Sequence, residues 1–233
     1  MKNREAADCL INIALAGAAY GAWAQMVFKD GVSRLSARGL WSLKYFTVLS
    51  NLFFGAAAAV MAIRQIRHLR GKAGPVTDRM LTVKLAATAS VALTFTVVMA
   101  FLGPLFGYGI MFNGANLWMH LVVPVAAMVQ FIILEADRKI PPKASLFATL
   151  PMLAYGIVYY ANILINGRGS GPDTNDWYGF AMWGNGIAVL VFAAIAAVTC
   201  ALAEGLRAAG QAVRRRREKR GAAEGAAQTV PEN

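Results

Sequence analysis

Met80-Leu81-Thr82-Val83-Lys84-Leu85-Ala86-Ala87-Thr88-Ala89-Ser90-Val91-Ala92-Leu93-Thr94-Phe95-Thr96-Val97-Val98-Met99-Ala100-Phe101-Leu102 is a run of 23 residues with one charged side chain, Lys84. At about 1.5 Å per helical residue it is long enough to cross the ~30 Å hydrocarbon core of a bilayer. Runs of the same character occupy 7–28, 41–63, 115–135, 144–166 and 180–206, which makes six. In hydrocarbon every backbone N–H and C=O must be paired without water, and the ten-residue alternation of barrel strands is absent. The fold class is therefore all-α: a polytopic membrane protein, a bundle of six transmembrane helices.

Composition agrees. Of 233 residues 58% are hydrophobic and 15% charged, against about a quarter charged in an ordinary soluble domain. The net charge of +11 is a topology signal. Eighteen of the 23 Lys and Arg fall at the N-terminus, in or beside the 64–84 and 136–143 loops, and after Leu206. The other five (Lys29, Arg34, Arg38, Lys44 and Arg168) fall on the opposite side. The positive-inside bias places both termini in the cytoplasm and excludes nucleic acid as a partner. Cys9 and Cys200 lie at cytoplasmic span ends, where a structural disulfide is not expected. Glu5 and Asp8 spoil the basic region that a signal peptide needs, so the first helix is read as part of the mature protein. The chain divides into a six-helix domain over 1–206 and a basic tail over 207–233 that should fray into disorder. In that tail Arg214–Arg217 reads as a topology determinant, with anionic-lipid contact the functional alternative. Asp173, Asn175 and Asp176 in the outer Gly-rich loop lack EF-hand spacing and read as a solvated turn.

Polar groups inside the spans are costly and therefore informative. The second run opens with Trp41-Ser42-Leu43-Lys44-Tyr45-Phe46-Thr47-Val48-Leu49-Ser50-Asn51 and the fourth with Asn116-Leu117-Trp118-Met119-His120-Leu121-Val122-Val123-Pro124. Counted from the starts of these runs, Thr47 and His120 sit at one depth, about 6–8 Å below the outer boundary. Asn51 and Ser50, four and three residues after Thr47, share its face, and Asn116 precedes His120 by four. Pro124 lacks an N–H, which frees the His120 carbonyl and kinks the helix. His120 is the only histidine within a span. A threonine hydroxyl needs an adjacent base to become a nucleophile, and a neutral imidazole suits that task. Thr47 and His120 form a candidate dyad; the bland alternatives are a threonine bonded to its own helix and a histidine gluing helices together. Asn51, Ser50, Asn116 or Tyr159 would orient the imidazole or donate to an oxyanion. Lys44, Trp118, Trp177 and Tyr178 at the outer rim are candidate substrate contacts, although aromatic residues there more often form an interfacial belt. The inner halves of the helices read as poor in polar groups, which argues against a carrier. One buried histidine without a buried cysteine or carboxylate builds no usual zinc site, and facing histidines for a haem are missing. No metal or other cofactor is expected.

Three stretches together resemble a known family: Lys44-Tyr45-Phe46-Thr47-Val48-Leu49-Ser50-Asn51-Leu52-Phe53-Phe54-Gly55, Trp118-Met119-His120-Leu121-Val122-Val123-Pro124 and Asp176-Trp177-Tyr178-Gly179-Phe180. In this order they resemble the bacterial Pr-six-Pr membrane proteins and, more distantly, the androgen-induced-gene family of multipass threonine hydrolases, which cleave fatty acid esters of hydroxy fatty acids. The resemblance implies an essential threonine at Thr47 and an essential histidine at His120. It also implies a bacterial cytoplasmic (inner) membrane. The chain departs from those families at Ser50-Asn51 and at Tyr178-Gly179-Phe180, where relatives have Tyr-Pro-Phe. The expected function is thus an intramembrane lipid esterase near the outer leaflet, acting on membrane lipids or a fatty-acid-like ester. The alternatives are a non-catalytic lipid- or small-molecule-binding or transport protein using the same pocket, and a structural subunit docking through small-residue faces.

Overall fold

The computed structural model describes residues 2–28, 39–136, 138–169 and 174–228. These residues are helical or irregular, with no strand among them. Six helices are long and apolar enough to cross a membrane, as an integral membrane protein requires: α1 (Lys2–Phe28), α2 (Phe46–Leu69), α3 (Asp78–Phe106), α4 (Ala115–Glu135), α5 (Lys143–Asn166) and α6 (Asn185–Gln228). Leu10, Val60, Val83, Val129, Val158 and Leu190, one on each helix, are exposed. Such an apolar perimeter is what a lipid solvent tolerates and water does not.

Helix α3 is the most buried of the six and touches α2, α4, α5 and α6. Its sequence explains the position. Ala86, Ala87, Ala89, Ser90 and Ala92 are small and buried, and small residues let helix backbones approach closely where no hydrophobic effect drives them together. The α1–α2 contact follows the same rule: a Cβ on Gly55 would lie 3.0 Å from the Tyr20 ring and 3.3 Å from Ala19 Cβ.

Two boundaries differ from the sequence reading. The second span begins with a 3₁₀ turn over Gly39–Lys44 and an extended Tyr45, and α2 proper starts at Phe46. Thr47 therefore stands in the first turn of α2 and not several residues inside it. Beyond Leu206, where the sequence reads as a fraying tail, α6 continues through Gln228. Its Arg207 donates to the Ile140 carbonyl and its Gln211 to the Arg138 carbonyl, tying the helix to the α4–α5 connection.

Three short π-turns interrupt the spans, at Val98–Leu102, Trp118–Val122 and Phe131–Glu135. Two of them precede a proline and are solved alike. In the i→i+5 register Gly103 N–H bonds to the Val98 carbonyl and Val123 N–H to the Trp118 carbonyl. The next carbonyl in each turn, Met99 or Met119, would need an N–H from Pro104 or Pro124, which has none. A side chain supplies it instead. Tyr108 Oη donates to the Met99 carbonyl at 2.8 Å, and Asn51 Nδ2 to the Met119 carbonyl at 3.1 Å. The carbonyl freed by Pro124 is thus that of Met119 and not that of His120, because the turn is wound as π.

Candidate functional site

Thr47 and His120 line one cavity of about 240 Å³ at the end of the bundle opposite the termini. Thr47 comes from the first turn of α2, at the positive end of its dipole, where the Val48 and Leu49 N–H groups bond to the Tyr45 carbonyl. His120 comes from the π-turn of α4 and is buried. Its Nδ1 lies 2.7 Å from the Met111 carbonyl. A carbonyl accepts only, so Nδ1 carries the proton and Nε2 is the basic nitrogen of the neutral ring. No hydrogen bond joins Thr47 to His120 among the described residues, and the Thr47 hydroxyl makes no bond back into its helix.

The Met111 carbonyl is held by the α3–α4 connection. Gly107, at φ +90°, ends α3 in a conformation that favours glycine. Tyr108 then folds back over Gly103, where an added Cβ would lie 2.1 Å from the Tyr108 ring. This sets the turn Tyr108–Met111 beside His120.

The remaining expected residues separate into four groups. Asn116 lines the cavity and is nearly buried; its side chain has no hydrogen-bond partner among the described residues, so its amide is available to a ligand. Trp177 and Tyr178 also line the cavity. Asn51 does not: its Nδ2 is committed to the Thr47 carbonyl at 2.8 Å and to Met119, while its Oδ1 is buried without a partner. Ser50 bonds to the Thr47 carbonyl and to Thr94 on α3, both at 3.0 Å. Both are occupied in holding the backbone, so neither the imidazole nor an oxyanion is served by them. Lys44 and Tyr159 open onto a neighbouring surface groove. Trp118 is exposed and does not line the cavity.

The Asp176-Trp177-Tyr178 stretch is not a solvated turn. Asp173 lies outside the described residues, but Asp176 is buried: it accepts from Tyr159 Oη, and its other oxygen accepts from Ala181 N–H at 3.0 Å. The stretch is latched to the start of α2. Tyr178 Oη accepts from Phe46 N–H at 2.9 Å, Tyr155 Oη donates to the Lys44 carbonyl at 2.7 Å, and Trp177 Nε1 donates to Tyr155 Oη at 3.1 Å. Lys44 Nζ lies 5.4 Å from the Tyr45 ring centre and 5.7 Å from that of Trp177, close enough for cation–π attraction. Burial holds the Tyr178 hydroxyl well above the ordinary tyrosine range, so it stays protonated.

The cavity wall is mostly apolar. Phe101, Leu105, Met182 and Trp183 on it are exposed, so its mouth opens through an apolar rim on the side of the bundle. A second, largely apolar recess of about 80 Å³ shares Thr47, Phe101, Leu102, Tyr178 and Phe180 with it. Thr47 thus borders two adjoining spaces. Sequence reasoning missed Ser42, which lines the cavity while accepting from Trp23 Nε1 at 3.3 Å, and the Met111 carbonyl. The available signal for the latter was the glycine-punctuated segment Gly103 to Gly114, too short to span and rich in turn residues.

Polar groups are not scarce at the end that bears the termini, contrary to the sequence reading. Asp8, Asn12, Gln65, Lys84, Gln130 and Glu135 are all buried there and bonded to one another. Among the described residues no group of three or more His, Cys, Asp or Glu is placed to hold a metal ion. Comparison with protein-family models, curated proteins and solved structures finds no match.

Proposed function

We propose that the protein is an intramembrane hydrolase of lipid fatty-acyl esters, with Thr47 as nucleophile and His120 as general base. The observation that carries this reading is the shared cavity. A hydroxyl with no bond to the described residues and an imidazole whose Nδ1 is fixed by the Met111 carbonyl border one apolar-walled space open at its side. An ester carbonyl entering between them brings Thr47 Oγ1 and His120 Nε2 together, as catalytic hydrogen bonds often tighten only with substrate bound. Thr47 Oγ1 attacks the carbonyl carbon and its proton passes to Nε2. The oxyanion is met by the Asn116 amide and the N–H of Thr47 itself, at the positive end of the α2 dipole. Collapse breaks the C–O bond, and Nε2 returns the proton to the departing alcohol. Water then attacks the acyl-threonine with Nε2 again taking the proton, releasing a fatty acid and restoring Thr47. The apolar recess beside Thr47 suits the acyl chain. With Lys and Arg distributed as they are, the termini lie in the cytoplasm and the site faces the outer leaflet of the bacterial inner membrane.

A second reading, a lipid- or small-molecule-binding or transport protein without catalysis, is favoured by the buried polar network at the termini end, since carriers need polar positions on both sides. One experiment separates the two. Purified protein in nanodiscs is treated with a fluorophosphonate probe and the adduct located by mass spectrometry. Hydrolysis requires labelling at Thr47 that is lost in Thr47→Ala and His120→Ala. Folded wild-type protein that neither labels nor cleaves a panel of lipid esters leaves the binding reading.

A further inference from the structure

The six buried polar residues at the termini end come from four helices, and their hydrogen bonds can be followed atom by atom. Asp8 accepts from Gln130 Nε2 at 2.8 Å on one oxygen and from Gln65 Nε2 at 2.5 Å on the other. Lys84 Nζ donates to Asn12 Oδ1 at 2.6 Å, lies 3.3 Å from Glu135 Oε1 and stands 4.3 Å from the centre of the Phe54 ring. Asn12 Nδ2 donates to Gln65 Oε1 at 3.3 Å and to Glu135 Oε1 at 3.2 Å. Glu135 Oε2 has no partner, nor has Gln130 Oε1, and the Glu135 side chain is fully buried. The π-turn Phe131–Glu135 sets these two residues a turn apart on one side of α4, where they meet Asp8 and Asn12 on α1. Asp8 and Glu135 both border a cavity of about 470 Å³, lined also by Glu5, Gln65, His68 and Arg138.

Among the buried side chains two carboxylates face one ammonium, a surplus of −1 that is costly in hydrocarbon, and the Arg4 guanidinium, which borders the same cavity, acts on Asp8 and not on Glu135. Asp8 receives an N–H on each oxygen and is satisfied as a carboxylate. The surplus charge therefore falls on Glu135, at the oxygen that receives nothing. We propose that Glu135 Oε2 is a proton-binding site, filled from the side of the termini through this cavity. A metal cation is disfavoured because the Lys84 ammonium already sits at the same carboxyl group. The other charged groups around the site are engaged elsewhere. His68 on α2 pairs with Glu5 at 2.7 Å, Arg4 on α1 donates to the Ile133 and Leu134 carbonyls, and Arg138 lies 3.5 Å from Asp78 of α3. On α6, Glu204 and Arg207 pair with each other and with Ser145 and the Ile140 carbonyl.

The test is infrared difference spectroscopy of the full chain in nanodiscs, with thermal melting alongside, for wild type, Glu135→Gln and Asp8→Asn. The site requires a protonated-carboxyl stretch in wild type that shifts in D₂O and disappears both in Glu135→Gln and in Asp8→Asn, since removing either carboxylate leaves the Lys84 ammonium balanced. Asp8→Asn, which deprives one of its two N–H donors of an acceptor, melts below Glu135→Gln. It also requires Glu135→Gln, which replaces the neutral acid by its isostere, to melt at or above the wild-type temperature. The proposal is overturned by a wild type without the band, by a band that survives Glu135→Gln or Asp8→Asn, by its loss on adding sodium or potassium chloride, or by a Glu135→Gln protein that fails to fold or melts below Asp8→Asn.

Discussion

In the proposed hydrolase His120 carries two tasks on two nitrogens, and substitutions can part them. The carboxamide nitrogen of asparagine stands near the place of Nδ1, so His120→Asn keeps a donor for the Met111 carbonyl and loses the base. It should melt close to wild type while ester cleavage falls by about 10²–10⁴-fold, the usual worth of a positioned general base. His120→Ala loses both, and the orphaned carbonyl should cost about 1–3 kcal/mol in addition. Melting curves and initial rates on the same preparations check the pair. Thr47→Ser keeps a hydroxyl at the same atom and should retain probe labelling, whereas Thr47→Ala removes it without lowering the melting temperature, because that hydroxyl bonds to none of the described residues. That Thr47 and His120 border one space was legible in the sequence, since both stand at one depth of runs that enter from the same side. Asn51 misled because its spacing from Thr47 is equally that of a side chain returning to its own helix.

Each proline-linked π-turn is a pair of defects that cancel: a proline withholds an N–H and a distant side chain replaces it. The two halves should therefore be strongly non-additive. Tyr108→Phe strands the Met99 carbonyl and should cost about 1–3 kcal/mol. In a Pro104→Ala background the chain has its own N–H to offer, and the same change should cost little. A double-mutant cycle by thermal melting measures the coupling, and additive effects would show that Tyr108 does not serve this carbonyl. Asn51→Ala and Pro124→Ala form the matching cycle at the other turn. Helix positions could be read from runs of apolar residues, but the register inside them could not. Winding as π instead of α is decided by what a neighbouring helix donates, and Asn51 is far from Met119 in sequence.

At the scale of the bundle, close helix approach carries the packing, so Gly55→Val should force α1 off α2 against Tyr20 and Ala19 at a cost of about 1–3 kcal/mol, read as a lower melting temperature in detergent. Six spans follow from composition and length. The charged network does not, because Asp8, Lys84 and Glu135 each stand near the end of a different span, where a lone charge reads as reaching for the interface; only packing shows that they meet. The latch between α2 and the α5–α6 loop bears on synthesis. A ribosome delivers Thr47 and His120 long before Trp177, Tyr178, Phe180 and Trp183, which form the opposite wall of the cavity. A nascent chain that has threaded only four helices owns both reactive side chains but no chamber around them, and the start of α2 lacks the phenol that holds Phe46. Assembly thus acts as a timer: in the proposed hydrolase Thr47 gains its enclosure only once the last loop has been translated and has closed over it.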